Sequence, residues 1–141
     1  MIKIQGAGAV AFIEEDGERR YLLVKYGEED GGHWSCPKGI REEGEDLLEC
    51  AEREFTEETG INETEVITGF KHKTNYRYEW DGTVYDKTVF YYLFRIKTKE
   101  VTLSPEHEEY AFVDPKALNK ETYKYAYEII EKAEQFLESK R

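Results

Sequence analysis

Several residue types are scarce in this chain, and each scarcity excludes something. Among 141 residues there are 2 cysteines, 3 prolines and 1 methionine. Cys36 and Cys50 are too few for a disulfide scaffold and lack companions at zinc-site spacing. No apolar run approaches the ~20 residues that a membrane span needs. The opening MIKIQGAGAVAFIEED has the pattern of a strand and not the layout of a secretory signal. A soluble, cytoplasmic protein is therefore expected. Cations are also short: 20 Lys and Arg face 31 Asp and Glu, for a formal charge of −11. That balance argues against general nucleic-acid binding and against an anionic membrane surface. Repeats, low-complexity tracts and Pro/Gly/Ser linkers are missing too. One domain over 1–141 is expected, with hydrophobic residues at 39% and aromatics at 14%, enough to build a core.

The patterning that is present alternates strand and helix. Residues 3–14 and 20–26 read as strands around a turn at Asp16-Gly17. A loop rich in Gly, Glu and Asp, residues 27–33, leads to Trp34. Residues 64–80 and 83–98 are β-rich runs about Asp81-Gly82, a hairpin signal. A short strand is expected at 109–113. A second helix is expected at about 122–139, with Tyr123, Ala126, Tyr127, Ile130, Ala133 and Leu137 as its packing stripe. Sheet covered by helices follows.

The most informative stretch is Gly39 to Ile61, GIREEGEDLLECAEREFTEETGI. Leu48, Ala51 and Phe55 recur at helical spacing, and Gly60 reads as the stop. Glu54, Glu57 and Glu58 share a narrow arc at the C-terminal end of that helix. Carboxylates there oppose the macrodipole at about 0.3–1 kcal/mol each. Like charges at these spacings cost roughly 0.2–0.5 kcal/mol per pair. Arg53, four residues before Glu57, offsets part of this. Such a broken local rule marks a functional site, and hard carboxylate oxygens suit Mg²⁺ or Mn²⁺. The alternative is a solvated acidic face. In front of the helix, Gly39 and Gly44 bracket a loop open to close approach, and Lys38 stands beside it as a phosphate contact.

These residues resemble the signature of the Nudix hydrolases. Gly39, Glu45, Arg53-Glu54-Phe55, Glu57-Glu58 and Gly60-Ile61 keep every spacing of that motif. Phe55 stands where a small aliphatic residue is usual, and its place on the apolar face makes it a packing variation. The resemblance implies an α/β/α sandwich, a mixed sheet flanked by the signature helix and a C-terminal helix. It also implies metal-dependent hydrolysis of a phosphoanhydride by water. Glu57 and Glu58 match metal ligands, with the Gly39 carbonyl joining them, and Glu54 matches a ligand or base. Arg53 matches a cation that orients a glutamate, and Glu45 closes the loop or supports the ligands.

Further strings resemble one subclass, the asymmetric bis(5′-nucleosyl)-tetraphosphatases: GHWSCPKG before the helix, then GFKHKTNYRY, DKTVFYYL and LSPEHEEYAFV. This implies a small nucleotide substrate, diadenosine tetraphosphate. It makes Glu106 an added carboxylate, and His33, Lys38 and Lys87 polyphosphate contacts. Tyr76 becomes a stacking partner for adenine, with Tyr110 as a second candidate. Each has a plainer reading: solvated loop residues for Glu106 and His33, a solvent-facing strand lysine for Lys87, sheet packing for the tyrosines. Other Nudix substrates remain open, among them RNA 5′ ends, diphosphoinositol polyphosphates and damaged nucleotides. A non-catalytic Nudix module would be expected to lack a motif glutamate, and all four are present. The oligomeric state is left open.

Overall fold

Strand β1, Ile2–Glu15, organises the molecule. In this computed structural model, which describes residues 1–27 and 32–140, β1 pairs in parallel with β7, Thr83–Arg95, along Ile2–Phe12. On its other edge it pairs antiparallel with β4, Lys38–Ile40, through Gly6–Gly8, and then with β2, Glu18–Tyr26, from Phe12 onward. Strands β3, Trp34–Ser35, and β8, His107–Val113, join β2. Strands β5, Glu65–Val66, and β6, His72–Trp80, join β7. Among the described residues the result is one mixed sheet of eight strands. Both expected tight turns form with positive φ, at Asp16-Gly17 and Asp81-Gly82, as hairpin turns of this hand require.

Alternation along β1 loads both faces. Ala7, Ala9, Ala11 and Ile13 face helix α1, Leu47–Thr59. Val10 and Phe12 face helix α2, Tyr127–Glu138. The three alanines let α1 come close, seating Cys50, Ala51 and Phe55 on the sheet. Phe55 is fully buried and meets Phe94 edge-on at 5.6 Å, so the unusual aromatic is indeed a packing feature. The molecule is thus the α/β/α sandwich expected. Helix α1 begins in a capping box, Glu49 N–H to the Asp46 side chain and Asp46 N–H to the Glu49 side chain. It stops at Gly60, in the left-handed region at φ 75°.

Four boundaries differ from expectation. Helix α2 starts at Tyr127, not 122, because Asn119 gathers a local turn by accepting from the N–H of Thr122 and, through its carbonyl, of Tyr123. Tyr123 then packs on Trp34 instead of extending the helical stripe, which gains Ile129. The run from 64 is split by a turn at Gly69, φ 101°, which drops the buried Phe70 against Phe136 and delays β6 to His72. Strand β7 ends at Arg95 and β8 starts at His107, a few residues earlier than read in each case. Residues 28–31 of the acidic loop lie outside the described residues. No helix among the described residues is long and apolar enough to cross a membrane.

Candidate active site

The site forms where the C-terminal half of α1 passes over β4. Gly39 is held in register with Ala7 of β1. A Cβ at Gly39 would overlap the Glu54 carboxylate, so only glycine lets that carboxylate lie against the strand. Gly39→Ala is expected to leave the fold intact, because the helix is anchored by Cys50, Ala51 and Phe55. It should lower kcat by at least tenfold by displacing Glu54. Steady-state kinetics beside a thermal melt check this, and unchanged kcat would show that the position of Glu54 does not matter.

Arg53 is the hub of the cluster. Its Nε and Nη2 donate to the two oxygens of Glu45 at 2.6 and 3.0 Å. Its Nη1 donates to Glu54 at 2.8 Å and to Glu57 at 3.3 Å, and Nη2 also reaches the Ile40 carbonyl at 3.0 Å. Glu45 further accepts from the N–H of Glu42, closing the glycine loop onto the helix. The paired guanidinium holds the Glu45 carboxyl down at about 2. Arg53 therefore neutralises more of the local repulsion than helical spacing alone suggests.

Glu58 is different. It is 4% exposed, and its Oε1 makes no hydrogen bond among the described residues. The nearest cationic candidate is the Nε2 of buried His107, 3.5 Å away, while Ser104 Oγ contacts the His107 Nδ1 at 3.1 Å. Burial first, then the Glu54 and Glu106 charges, push the Glu58 carboxyl up to about 8, against the pull of Lys38. Burial likewise raises Glu54, against Arg53. A buried oxygen without a partner costs roughly 1–3 kcal/mol, more when charged.

Glu54, Glu58, Glu106, Gly39, Lys38 and Lys87 line one cleft of about 300 Å³. Among the described residues no three carboxylate, imidazole or thiol groups converge tightly enough to grip an ion as the side chains stand. Glu57 is about half exposed, lies outside the cleft lining, and leans on Arg53. The donor chemistry nevertheless fits a hard divalent cation: carboxylate and carbonyl oxygens, one of them buried and without a hydrogen bond among the described residues. Rotation of Glu57 away from Arg53 would add a further carboxylate.

Lys38 reaches from this cleft into a second. It is largely buried, and burial, with Lys87 nearby, lowers its pKa. It donates to the Tyr26 hydroxyl at 3.3 Å and forms no ion pair among the described residues. The second hollow, a groove of about 560 Å³, is lined by His33, Ser35, Lys38, Tyr76, Tyr91 and Tyr125, together with Thr74. His33 lies between the rings of Tyr26 and Tyr125, at 4.8 and 4.7 Å. Tyr76, 44% exposed, stands on the opposite wall with Lys87 Nζ 6.0 Å from its ring. Tyr110 does not join them. Its ring meets Phe112 edge-on, and Phe112 belongs to the α1 side of the sheet. Tyr26, His107 and Tyr125 were not singled out from sequence. Only the position of His107, next to Glu106, offered a signal.

A layered α/β/α fold with a carboxylate cleft at the end of one helix is the architecture of the Nudix class. The NUDIX domain profile matches residues 4–133, and the chain belongs to that family. It is 40% identical over 85 residues to the asymmetrical bis(5′-nucleosyl)-tetraphosphatase of Mus musculus, an alignment covering 57% of this chain and 55% of that one. The chain thus spans about half the length of the curated relatives it matches. It is 33% identical over 102 residues to an RNA pyrophosphohydrolase of Helicobacter pylori, covering 63% of each. Its fold is similar to that of a C. elegans Ap4A hydrolase in a binary complex, with a TM-score of 0.82 and 26% identity over 96% of this chain and 98% of the other.

Proposed function

We propose that the chain is, as a single domain, a hydrolase of dinucleoside polyphosphates, cleaving diadenosine tetraphosphate to ATP and AMP with the help of Mg²⁺ or Mn²⁺. One observation carries the reading. The buried Glu58 oxygen, which accepts no hydrogen bond among the described residues, sits in a carboxylate cleft joined through Lys38 to an aromatic groove. The similarity to tetraphosphatases supports the substrate, and the two buried unpaired cysteines suit a reducing, cytoplasmic setting. The RNA pyrophosphohydrolase similarity keeps 5′-triphosphorylated RNA as the alternative. The net charge of −11 weighs against a long polyanion.

Glu54, Glu57, Glu58, Glu106 and the Gly39 carbonyl would hold the cation. When bound, it neutralises phosphate charge and acidifies water. Lys38 and Lys87 hold the polyphosphate between groove and cleft. Tyr76 and Tyr125 flank an adenine, with His33 beside it. One cleft carboxylate takes the proton of the attacking water. The water oxygen bonds to a terminal phosphorus of the chain, the P–O bond to the rest breaks, and ATP leaves AMP behind. Arg53 and Glu45 position the glutamates and touch no substrate.

Two experiments test this. The protein with Mg²⁺ is given diadenosine tetraphosphate beside nucleoside triphosphates, nucleotide sugars and triphosphorylated RNA. Equal ATP and AMP is the expected product pattern, two ADP would reject asymmetric cleavage, and turnover of RNA alone would favour the alternative. Glu57→Gln is expected to cut kcat at least a hundredfold with the melting temperature little changed. Full activity at saturating Mg²⁺ would remove Glu57 from the ligand set.

A further inference from the structure

The aromatic surface does not end at Tyr76. Strand β6 continues with Tyr78 and Trp80, and side chains two residues apart share a face. Across the hairpin, Lys87 is opposite Tyr76 and Tyr85 is opposite Tyr78. The rings of Tyr78 and Tyr85 stack at 5.2 Å with only 17° between their planes, and Tyr76 follows at 6.0 Å from Tyr78. These rings face water: Tyr78 is 37% exposed and Trp80 68%. A contiguous exposed aromatic surface is a mark of binding.

We propose that the Tyr78–Tyr85 stack, with Trp80 beyond it, seats the second nucleobase of a dinucleoside polyphosphate whose first base lies in the groove. This rests on the dinucleoside reading above. The order of residues along β7 supports it. Tyr91 lines the groove, Val89 and Lys87 line the carboxylate cleft, and Tyr85 comes next on the same face. Tyr91 and Tyr85 are six residues apart, about 20 Å of strand. A ligand laid along this face has a base at each end and its phosphates over Lys87, which forms no ion pair among the described residues. A stack on the outer face of a hairpin also offers a ring plane to any base, whatever its hydrogen-bonding edge. The competing explanation is a cross-strand pair that only steadies the hairpin, and it predicts no dependence on the ligand's second base.

The test compares methylene-bridged diadenosine tetraphosphate with methylene-bridged adenosine 5′-tetraphosphate, which has one base on the same phosphate chain. Calorimetry with Mg²⁺ is expected to give about tenfold tighter binding of the two-base compound by the wild type. Tyr78→Ala with Tyr85→Ala should erase that preference and move one-base affinity less than twofold. Tyr78→Phe with Tyr85→Phe should keep it. Trp80→Ala, a change at an exposed hairpin end, should reduce it partially. Equal affinities in the wild type, or equal losses for both compounds in the double alanine variant, would overturn the subsite. A wild type that prefers the two-base compound yet cleaves neither parent compound keeps the subsite and loses the hydrolysis.

Discussion

Glu58→Gln is expected to lower kcat by a hundredfold to a thousandfold and, in the same protein, to raise the stability of the metal-free form at pH 8. The first effect follows if a cleft carboxylate that holds cation or proton is lost. The second follows from burial. Glu58 is 4% exposed and its carboxyl titrates at about 8, against an ordinary 4.5. A folded pKa above the unfolded one means that folding favours the protonated form. Its contribution is complete below about pH 4.5 and is lost as pH rises through about 8. Metal-free wild type should therefore weaken across that window relative to Glu58→Gln, by a few kcal/mol at most. In melting temperature this is on the order of 5–10 °C. Mg²⁺ or Mn²⁺ should restore the wild type and do little for the variant. Parallel melting curves for the two proteins from pH 5 to 8 would remove the buried-charge argument.

Arg53→Lys should cost about a hundredfold in kcat although the charge is kept. The guanidinium forks onto both oxygens of Glu45 while its third nitrogen restrains Glu54 and Glu57. An ammonium is a single point charge and cannot span that arc. The expected signature is one of positioning: weaker apparent metal affinity, partial recovery of rate at high metal concentration, and little change in KM for the nucleotide. A purely structural arginine would lower the melting temperature while leaving metal dependence where it was, and that result would contradict the assignment.

Much of the helix and its site is legible in local sequence chemistry. Leu48, Ala51 and Phe55 mark the buried stripe of the helix and Gly60 its end, whereas the Asp46–Glu49 cap and the need of the Glu54 carboxylate for Gly39 emerge only in the structure. The residues alone imply a sheet covered by helices and the Nudix resemblance implies the α/β/α layering, which alternation along β1 and the apolar stripe of α1 build. What stayed hidden depends on long-range register. Tyr26 meets His107 only because β8 pairs with β2, after a bulge at Lys25-Tyr26, and no spacing in either segment encodes that contact. Tyr125 reaches the groove from the turns ahead of α2, where a continuous helix was expected. Tyr110 lies on the α1 side with Phe112 because side chains alternate along β8, which turns Ala111 and Val113 to α2.

Binding of Mn²⁺ to the nucleotide-free protein, followed by electron paramagnetic resonance, tests the carboxylate cleft most directly. The wild type is expected to bind Mn²⁺ saturably, more tightly at pH 8 than at pH 6 as Glu58 ionises, with Mg²⁺ competing. Glu58→Gln should weaken that binding at least tenfold. Folded, nucleotide-free wild-type protein that leaves Mn²⁺ entirely free at pH 8 would contradict the assignment.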